Sequence, residues 1–132
     1  MRRLIIDTNF LMIPYEFKVD IFSEFDRICN FQYKLFIFDG TVRELKKIIE
    51  NQAGKEKKSA QFALKIAKLK NIGAIKAEQK HVDSLILENA DENTIVATQD
   101  INLKKKLLEK GISVIILRQK KYLEFVKNYN YK

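Results

Sequence analysis

Four acidic residues each follow an apolar run that has the length and composition of a buried β-strand. Asp7 comes directly after Leu4–Ile6, and Asp100 closes the stretch IVATQD. The other two, Glu44 and Asp83, each lie in the first turn of a predicted helix that follows an apolar run. Because ligands of parallel sheets bind beyond the carboxyl ends of the strands, we expect these four side chains to share one edge of a sheet.

Carboxylates gathered in this way repel one another, and their pKa values rise unless a cation compensates the charge. A hard divalent ion, Mg²⁺ or Mn²⁺, prefers oxygen ligands and keeps bound water for catalysis. The pattern therefore predicts a divalent-metal site built from Asp7, Glu44, Asp83 and Asp100.

Each acid taken alone also has a purely structural explanation. Asp7 could cap a turn, and Asp100 could be the N-cap of the helix that follows it. The segment Thr41–Glu44 matches a capping box, in which the glutamate accepts a hydrogen bond from a backbone N–H. The helix dipole favours Asp83 in a first turn. Only the shared position of the four acids favours the metal site over these alternatives.

The charge is unevenly distributed along the 132 residues, whose net charge is +8. Residues 43–80 carry eleven Lys and Arg against four acids, and residues 104–132 carry nine against two. Residues 81–103 carry five acids and no Lys or Arg. An acidic segment between basic flanks suits a metal-dependent enzyme acting on a phosphodiester, although solvated Lys-rich helix faces produce the same pattern.

Cysteine and histidine usage excludes other chemistry. The single cysteine, Cys29, excludes an internal disulfide, and the single histidine, His81, argues against a zinc site. His81 precedes Asp83 by two residues and could touch a substrate, but a lone histidine is more often a surface residue where a helix begins. Asp91 and Glu92 precede a predicted strand, which puts them at the end opposite the metal site.

The elements that must position these acids alternate between strand and helix. The predicted strands are short and continuously apolar, at residues 3–6, 35–39, 73–77, 94–98 and 112–117. The predicted helices cover residues 19–31, 41–52, 56–71, 82–90 and 101–111, and a short helix is expected in the basic tail. This alternation favours one α/β domain with a parallel sheet between two helical layers.

No apolar stretch approaches the length of a membrane span, and the run after the two N-terminal arginines is too short for a signal peptide. We therefore expect a cytoplasmic protein with no membrane partner.

Several segments resemble the PIN-domain nucleases, in particular the archaeal branch similar to eukaryotic pre-rRNA cleavage nucleases. The most specific are D-T-N at residues 7–9 and T-x-D at 98–100, followed by a basic helix and G-x-x-V-I-x-L at 111–117. The resemblance covers nearly the whole chain. It implies a five-stranded parallel sheet of order 3-2-1-4-5 within a PIN-like domain at residues 1–118. The basic tail, 119–132, would belong to this domain or pack on it.

The resemblance also implies roles for individual residues. In the family, the acids matching the four named above are catalytic and hold the divalent ion, Mg²⁺ or Mn²⁺. Thr8 and Thr98 match hydroxyl positions beside the first and the last acid. Asn102 stands where some members carry a further acid, which leaves the number of metal ions open.

The implied activity is hydrolysis of RNA phosphodiesters by an endoribonuclease, in rRNA processing or as a VapC-type toxin. Basic side chains expected to neutralise RNA phosphates are Arg43, Lys46, Lys47, Lys104, Lys105 and Lys106. Aromatic residues of the tail that could stack on bases are Tyr122, Phe125, Tyr129 and Tyr131, with core packing more typical of Phe125. The resemblance further implies two kinds of partner. One is a second copy of the chain in a homodimer, and the other is an antitoxin or a ribosome-assembly protein.

Two other classes of function fit parts of the pattern. A non-catalytic RNA-binding or assembly module would keep the fold but lose one or more acids, and here all four are present. A receiver-like domain phosphorylated on Asp7 would carry a D-x-D pair, but Asn9 occupies its second place.

Overall fold

The structure is a computed structural model that describes residues 1–77 and 81–126. The strands of this part are β1 Arg2–Ile6, β2 Tyr33–Phe38, β3 Gly73–Ile75, β4 Thr94–Ala97, β5 Ser113–Arg118 and β6 Tyr122–Phe125. The helices are α1 Thr8–Leu11, α2 Ile13–Phe17, α3 Ile21–Ile28, α4 Asp39–Asn51, α5 Gly54–Leu69, α6 Val82–Asn89 and α7 Ile101–Glu109.

The strands form one sheet of order β3-β2-β1-β4-β5-β6. The first five strands run parallel, with Leu4 of β1 in register with Leu35 of β2 and Ile95 of β4. The predicted order 3-2-1-4-5 is therefore confirmed. Because β1 lies in the middle of this sheet, a residue at its carboxyl end can meet residues delivered by the strands on both sides.

Two hydrophobic cores enclose the sheet, as the predicted three-layer arrangement requires. Residues of α1 to α5 pack on one face, and residues of α6 and α7 pack on the other. In β1, Leu4 and Ile6 belong to the first core and Ile5 to the second, and all three are fully buried. Burial on both faces explains why this strand is continuously apolar.

Two short helices after β1 were not predicted. Asp7 caps α1, and Pro14 lies in the first turn of α2, which ends at Lys18 in a left-handed conformation. Helices of four and five residues complete hardly more than one turn, so they leave no clear hydrophobic period in the sequence.

The predicted start of the helix at residues 41–52 is wrong by two residues. The dipeptide Asp39-Gly40 is a turn signal in the sequence and predicts a helix that begins only at Thr41, but α4 begins at Asp39 itself. Gly40 lies in the first turn of α4, where an added Cβ would stand 3.1 Å from Cγ2 of Val82 in α6. The glycine lets the N-terminal turns of α4 and α6 approach closely, so its role is packing rather than turn formation.

The short helix expected in the tail is also wrong. Residues 122–125 form β6, which pairs antiparallel with β5, so the sheet is mixed and has six strands instead of five. The outer side of β6 is closed by α3. Oε1 of Glu24 accepts a 2.8 Å hydrogen bond from the Leu123 N–H, and Arg27 donates one of 2.9 Å to the Leu123 carbonyl. These long-range partners stabilise the strand, and local sequence gives no sign of them.

Tyr129 and Tyr131, two of the expected stacking residues, lie outside the described residues. Within the described ranges, no helix combines the length and the apolar character needed to cross a bilayer.

Candidate active site

A cavity of about 150 Å³ opens at the carboxyl edge of the sheet. The four predicted acids all line it, together with one hydroxyl, one amide, one imidazole and one aliphatic side chain: Asp7, Glu44, Asp83, Asp100, Thr8, Asn9, His81 and Val82. The structure therefore brings together four side chains that are as far apart in the sequence as residues 7 and 100.

Asp7 is the most buried of the four acids, with 7% of its surface exposed. Its Oδ1 accepts a 2.8 Å hydrogen bond from the Thr8 N–H, and its Oδ2 accepts one of 2.8 Å from the Thr98 hydroxyl. Burial raises the pKa of Asp7, and the charges of Glu44 and Asp100 raise it further, while the two hydrogen bonds act in the opposite direction. A cation in the cavity would favour the ionised carboxylate and so offset the rise in pKa that burial and the neighbouring charges cause.

Thr98 connects Asp7 to Asp100. This threonine is fully buried, and its hydroxyl donates to Asp7 and accepts a 3.1 Å hydrogen bond from the Asp100 N–H. Asp100 is the N-cap of α7, since its Oδ1 accepts a 3.0 Å hydrogen bond from the Leu103 N–H. The capping interpretation of Asp100 is thus correct for one oxygen, and the residue still lines the cavity.

The capping-box interpretation of Glu44 is wrong. Helix α4 begins before Thr41, so Thr41 lies inside the helix and is fully buried. The Glu44 carboxylate instead accepts a 2.5 Å hydrogen bond from the Thr8 hydroxyl through Oε1. The Thr41 and Thr8 hydroxyl oxygens are 3.0 Å apart. Because the single hydroxyl hydrogen of Thr8 is used toward Glu44, Thr41 is the donor in that contact.

Asp83 and His81 form the exposed rim of the cavity. Asp83 lies in the first turn of α6, where its Oδ1 accepts a 2.9 Å hydrogen bond from the Ser84 N–H. His81 is at the N-cap position of the same helix and makes no capping hydrogen bond with its side chain. Asp91 and Glu92 lie before β4, away from the cavity, as expected.

The donor set of the cavity fits a hydrated divalent ion. Across the described residues, no three Asp, Glu, His or Cys side chains converge closely enough to form a complete ligand set. At roughly 30 Å³ per water molecule, however, the cavity of about 150 Å³ has room for several waters. Mg²⁺ characteristically keeps several of its waters and takes only one or two carboxylates directly. Four carboxylates around such a volume therefore suit Mg²⁺ or Mn²⁺ held partly through water.

Some residues of the cavity had no predicted site role, and one predicted residue lies elsewhere. Asn9 lines the cavity, and the Thr41 hydroxyl is within hydrogen-bond distance of the Thr8 hydroxyl. The amide of Asn9, which directly follows the site residues Asp7 and Thr8 in the sequence, is a signal that could have identified it. Asn102, in contrast, is an exposed residue of α7 that is not among the lining residues.

The predicted RNA-binding cations of α4 differ in their surroundings. Arg43 lies with Nη2 3.6 Å from Oδ1 of Asp39, an atom that is buried and has no hydrogen bond. Lys47 is three residues after Glu44 and so lies on the same side of the helix. Lys46 lines a different and larger cavity of about 710 Å³, between α4, α5 and β3. This larger cavity contains none of the clustered acids and is not the site.

The three lysines of α7 follow Asp100 along the same helix. Lys104 is half-buried in the first turn, and Lys105 and Lys106 are exposed further along. The N-cap position of Asp100 therefore puts Lys104 nearest to the cavity, while the other two are displaced from it along the helix axis.

Comparison with known proteins gives one consistent family. Residues 4–120 match the family described as a PIN like domain. Ribonuclease VapC4 of Methanocaldococcus jannaschii is 35% identical over 126 residues, which are 94% of this chain and 96% of the relative. Ribonuclease VapC9 of Archaeoglobus fulgidus is 34% identical over 122 residues, which are 92% of this chain and 87% of the relative.

Solved structures agree with the fold. The PIN domain endonuclease Utp24 superimposes with a TM-score of 0.78 at 24% identity, covering 96% of this chain and 92% of that one. A domain of a functionally unknown protein from M. jannaschii gives a TM-score of 0.60 at 16% identity, with 100% and 97% covered. The family match, the two ribonuclease relatives and the strand order agree, and the chain belongs to the PIN-like domain family.

Proposed function

We propose that this protein is a divalent-metal-dependent endoribonuclease that hydrolyses RNA phosphodiesters at the cavity of the four carboxylates. The observation that carries the proposal is the convergence of Asp7, Glu44, Asp83 and Asp100 on one small cavity at the carboxyl edge. The names of the two relatives at 35% and 34% identity, both ribonucleases, support the reaction class.

Asp7, Asp83 and Asp100 would hold the ion, directly or through water. A bound Mg²⁺ or Mn²⁺ supplies charge that lowers the pKa of a water molecule and stabilises the negative charge of the transition state. The two hydrogen bonds from the Thr8 N–H and the Thr98 hydroxyl keep the Asp7 carboxylate oriented in its buried position. This preorganisation means that the carboxylate does not have to be ordered at the moment of reaction.

Glu44 would orient the attacking water. The Thr8 hydroxyl occupies Oε1 of Glu44 and fixes the rotamer of the carboxylate. Among the described residues Oε2 has no hydrogen-bond partner, so it can accept a hydrogen bond from a water molecule in the cavity. In this proposal Glu44 positions the water molecule, and the hydrogen bond from Thr8 that supports this role fixes Glu44.

The names of the relatives favour the VapC-type setting over rRNA processing. For this setting we propose a protein antitoxin as the partner, a homodimer as the assembly and the cytoplasm as the site of action. Co-expression of a small protein encoded beside the gene tests this setting. We expect expression of the chain alone to arrest growth and the co-expressed protein to relieve the arrest, and continued arrest contradicts the setting.

The test of the enzymatic proposal is cleavage of a structured RNA in Mg²⁺ or Mn²⁺ by the wild type, Asp7→Asn and Asp100→Asn. Both variants are expected to lose about a hundredfold or more in cleavage rate, since the charge supplied by the ion is worth several kcal/mol. Mn²⁺ binding measured by calorimetry should weaken in parallel. Wild-type rates in both variants would refute the metal site. RNA binding without any cleavage by the wild type would favour the non-catalytic module.

A further inference from the structure

A tight turn with an unusual backbone connects β5 and β6. Its two central residues, Gln119 and Lys120, have φ of 51° and 57°, and the Lys121 N–H donates a 2.9 Å hydrogen bond to the Arg118 carbonyl. Hairpin turns with two positive φ angles favour Asn-Gly, because a side chain in the left-handed region costs about 1 kcal/mol or more. This chain keeps two long polar side chains where glycine would be relaxed, which points to a function for them.

The turn lies at the same edge of the sheet as the cavity. The Thr98 N–H donates a 3.1 Å hydrogen bond to the Ile115 carbonyl, and Oε1 of Gln99 accepts one of 2.7 Å from the Leu117 N–H. The loop that carries the site residues Thr98 and Asp100 is therefore fastened along β5 up to the residue before Arg118. With neighbouring strands about 4.8 Å apart, β5 lies roughly 10 Å from β1 and Asp7.

The turn presents free cations beside aromatic rings. Lys120 and Lys121 are exposed, and no acid in the described part of the chain pairs with either, whereas Arg118 is paired with Glu124 at 3.0 Å. The Lys120 ammonium is 5.8 Å from the centroid of the Phe17 ring. Tyr122 follows with 37% of its surface exposed. Lysines that neutralise phosphates beside rings that stack on bases form the usual surface for single-stranded nucleic acid.

We propose that this hairpin patch, formed by Phe17, Lys120, Lys121 and Tyr122, binds the single-stranded RNA that flanks the scissile phosphate. The inference rests on the proposed ribonuclease function and adds the place where the strand leaves the cavity. Lys120 and Lys121 neutralise consecutive phosphates, and the Tyr122 ring stacks on a base. The strained turn is short, so it keeps both lysines at the carboxyl edge of the sheet, where the cavity opens, without a long flexible loop.

The test is the affinity of a fluorescein-labelled single-stranded RNA dodecamer for the chain in an Asp7→Asn background, measured by anisotropy at several salt concentrations. Lys120→Gln/Lys121→Gln should lower the affinity at least fivefold and reduce the slope of log K against log salt by about 1.4, at about 0.7 per phosphate contact. Tyr122→Leu should lower the affinity at least fivefold with little change in slope.

The matched control is Lys34→Gln/Lys70→Gln, which removes the same charge at the amino edge of the sheet, where both lysines lie beside Met1. It should change the affinity less than twofold. Equal losses in the two double variants would show general charge attraction and overturn the inference, as would unchanged binding in the hairpin variants.

A second variant separates a binding role from a structural one. Lys120→Gly should raise the melting temperature, because glycine accepts a φ of 57° without strain, and should still lower RNA affinity. A rise in melting temperature with unchanged affinity would refute the inference. Failure of the proposed ribonuclease function would give a different result. The wild type would not cut the dodecamer, and Asp7→Asn with an unchanged hairpin patch would not bind it.

Discussion

The hydroxyl of Thr8 donates a 2.5 Å hydrogen bond to Oε1 of Glu44, which joins the first residue of α1 to helix α4, thirty-six residues further along the chain. This length is typical of a strong hydrogen bond to an ionised carboxylate. Thr41 supports it, because its own hydroxyl donates to Thr8 at 3.0 Å. Two threonines thus determine where a glutamate of the site stands.

Thr8→Val tests this relationship, since valine keeps the shape and removes the donor. We expect cleavage to fall about 10- to 100-fold, the usual effect of removing a group that orients a metal-site carboxylate. The free energy of unfolding should fall by about 1–3 kcal/mol, because the buried Thr41 hydroxyl loses its acceptor. Thr8→Ser, which retains the hydroxyl, is the control. Equal activity of the valine and serine variants would contradict the assignment.

Glu44→Gln should separate the site role of this residue from a capping role. Because α4 begins at Asp39, Glu44 is not part of its cap, and the melting temperature should change little. Glutamine can still accept the hydrogen bond from Thr8 but lacks the charge, so we expect weaker Mn²⁺ binding and slower cleavage. A variant that melts lower but binds metal and cuts RNA normally would restore the capping box.

Asp7→Asn should be more stable than the wild type in EDTA. Burial raises the pKa of Asp7, so its ionised form is destabilising in the folded chain at neutral pH. Asparagine removes that charge, and we expect a gain of about 1 kcal/mol in the free energy of unfolding by urea. Gains of this size are common when a substitution removes a destabilising feature of a functional site. The gain should disappear when both proteins are saturated with Mn²⁺. Lower stability of the variant in EDTA would contradict this reading.

Glu24 gives a pH dependence of opposite sign. The hydrogen bond from Arg27 lowers the pKa of Glu24 below its ordinary value of 4.5. A lowered pKa in the folded state contributes stability that is present above the unfolded pKa and lost as pH falls through the folded one. Glu24→Gln should therefore destabilise the chain at pH 7, by about 1 kcal/mol or less because Arg27 is exposed and solvent screens the ion pair.

The difference between Glu24→Gln and wild type should shrink as the pH falls below 4.5 and then through the lowered pKa of Glu24 in the folded chain, because the wild-type carboxylate also becomes neutral there. Urea unfolding at both pH values measures it, and Glu56→Gln on the exposed start of α5 is the control. A difference independent of pH would show that the closure of β6 by α3 rests on the shape of the residue and not on its charge.

How far the sequence predicts the site depends on what defines each residue. Asp7, Glu44, Asp83 and Asp100 were predictable, because each follows a strand whose apolar run is visible and parallel strands bring their carboxyl ends to one edge. The hydrogen bond that fixes the Glu44 carboxylate was not predictable, because the sequence pattern T-x-x-E is typical of a capping box. The competing contact, from Thr8, comes from a distant part of the chain.

The same contrast between local pattern and tertiary contact holds for the lysines that were predicted to bind RNA. Lys46 and Lys47 are adjacent in sequence and were predicted alike, yet Lys46 lines the larger cavity and Lys47 lies on the side of Glu44. A turn of 100° per residue separates neighbours on a helix, but only packing decides which side meets the site.

By itself the sequence determined the parallel sheet and the three layers, because hydrophobic period and apolar runs are properties of neighbouring residues. Its local motifs carried the resemblance to the PIN family, and that resemblance implied the order of the five strands. The tertiary structure alone decided that Thr8 bonds to Glu44, that residues 122–125 form a sixth strand closed by Glu24 and Arg27, and that a strained basic turn follows β5 at the same edge of the sheet as the cavity. Each depends on contacts between residues far apart in the chain, whose free energy appears only when the sheet has brought them together.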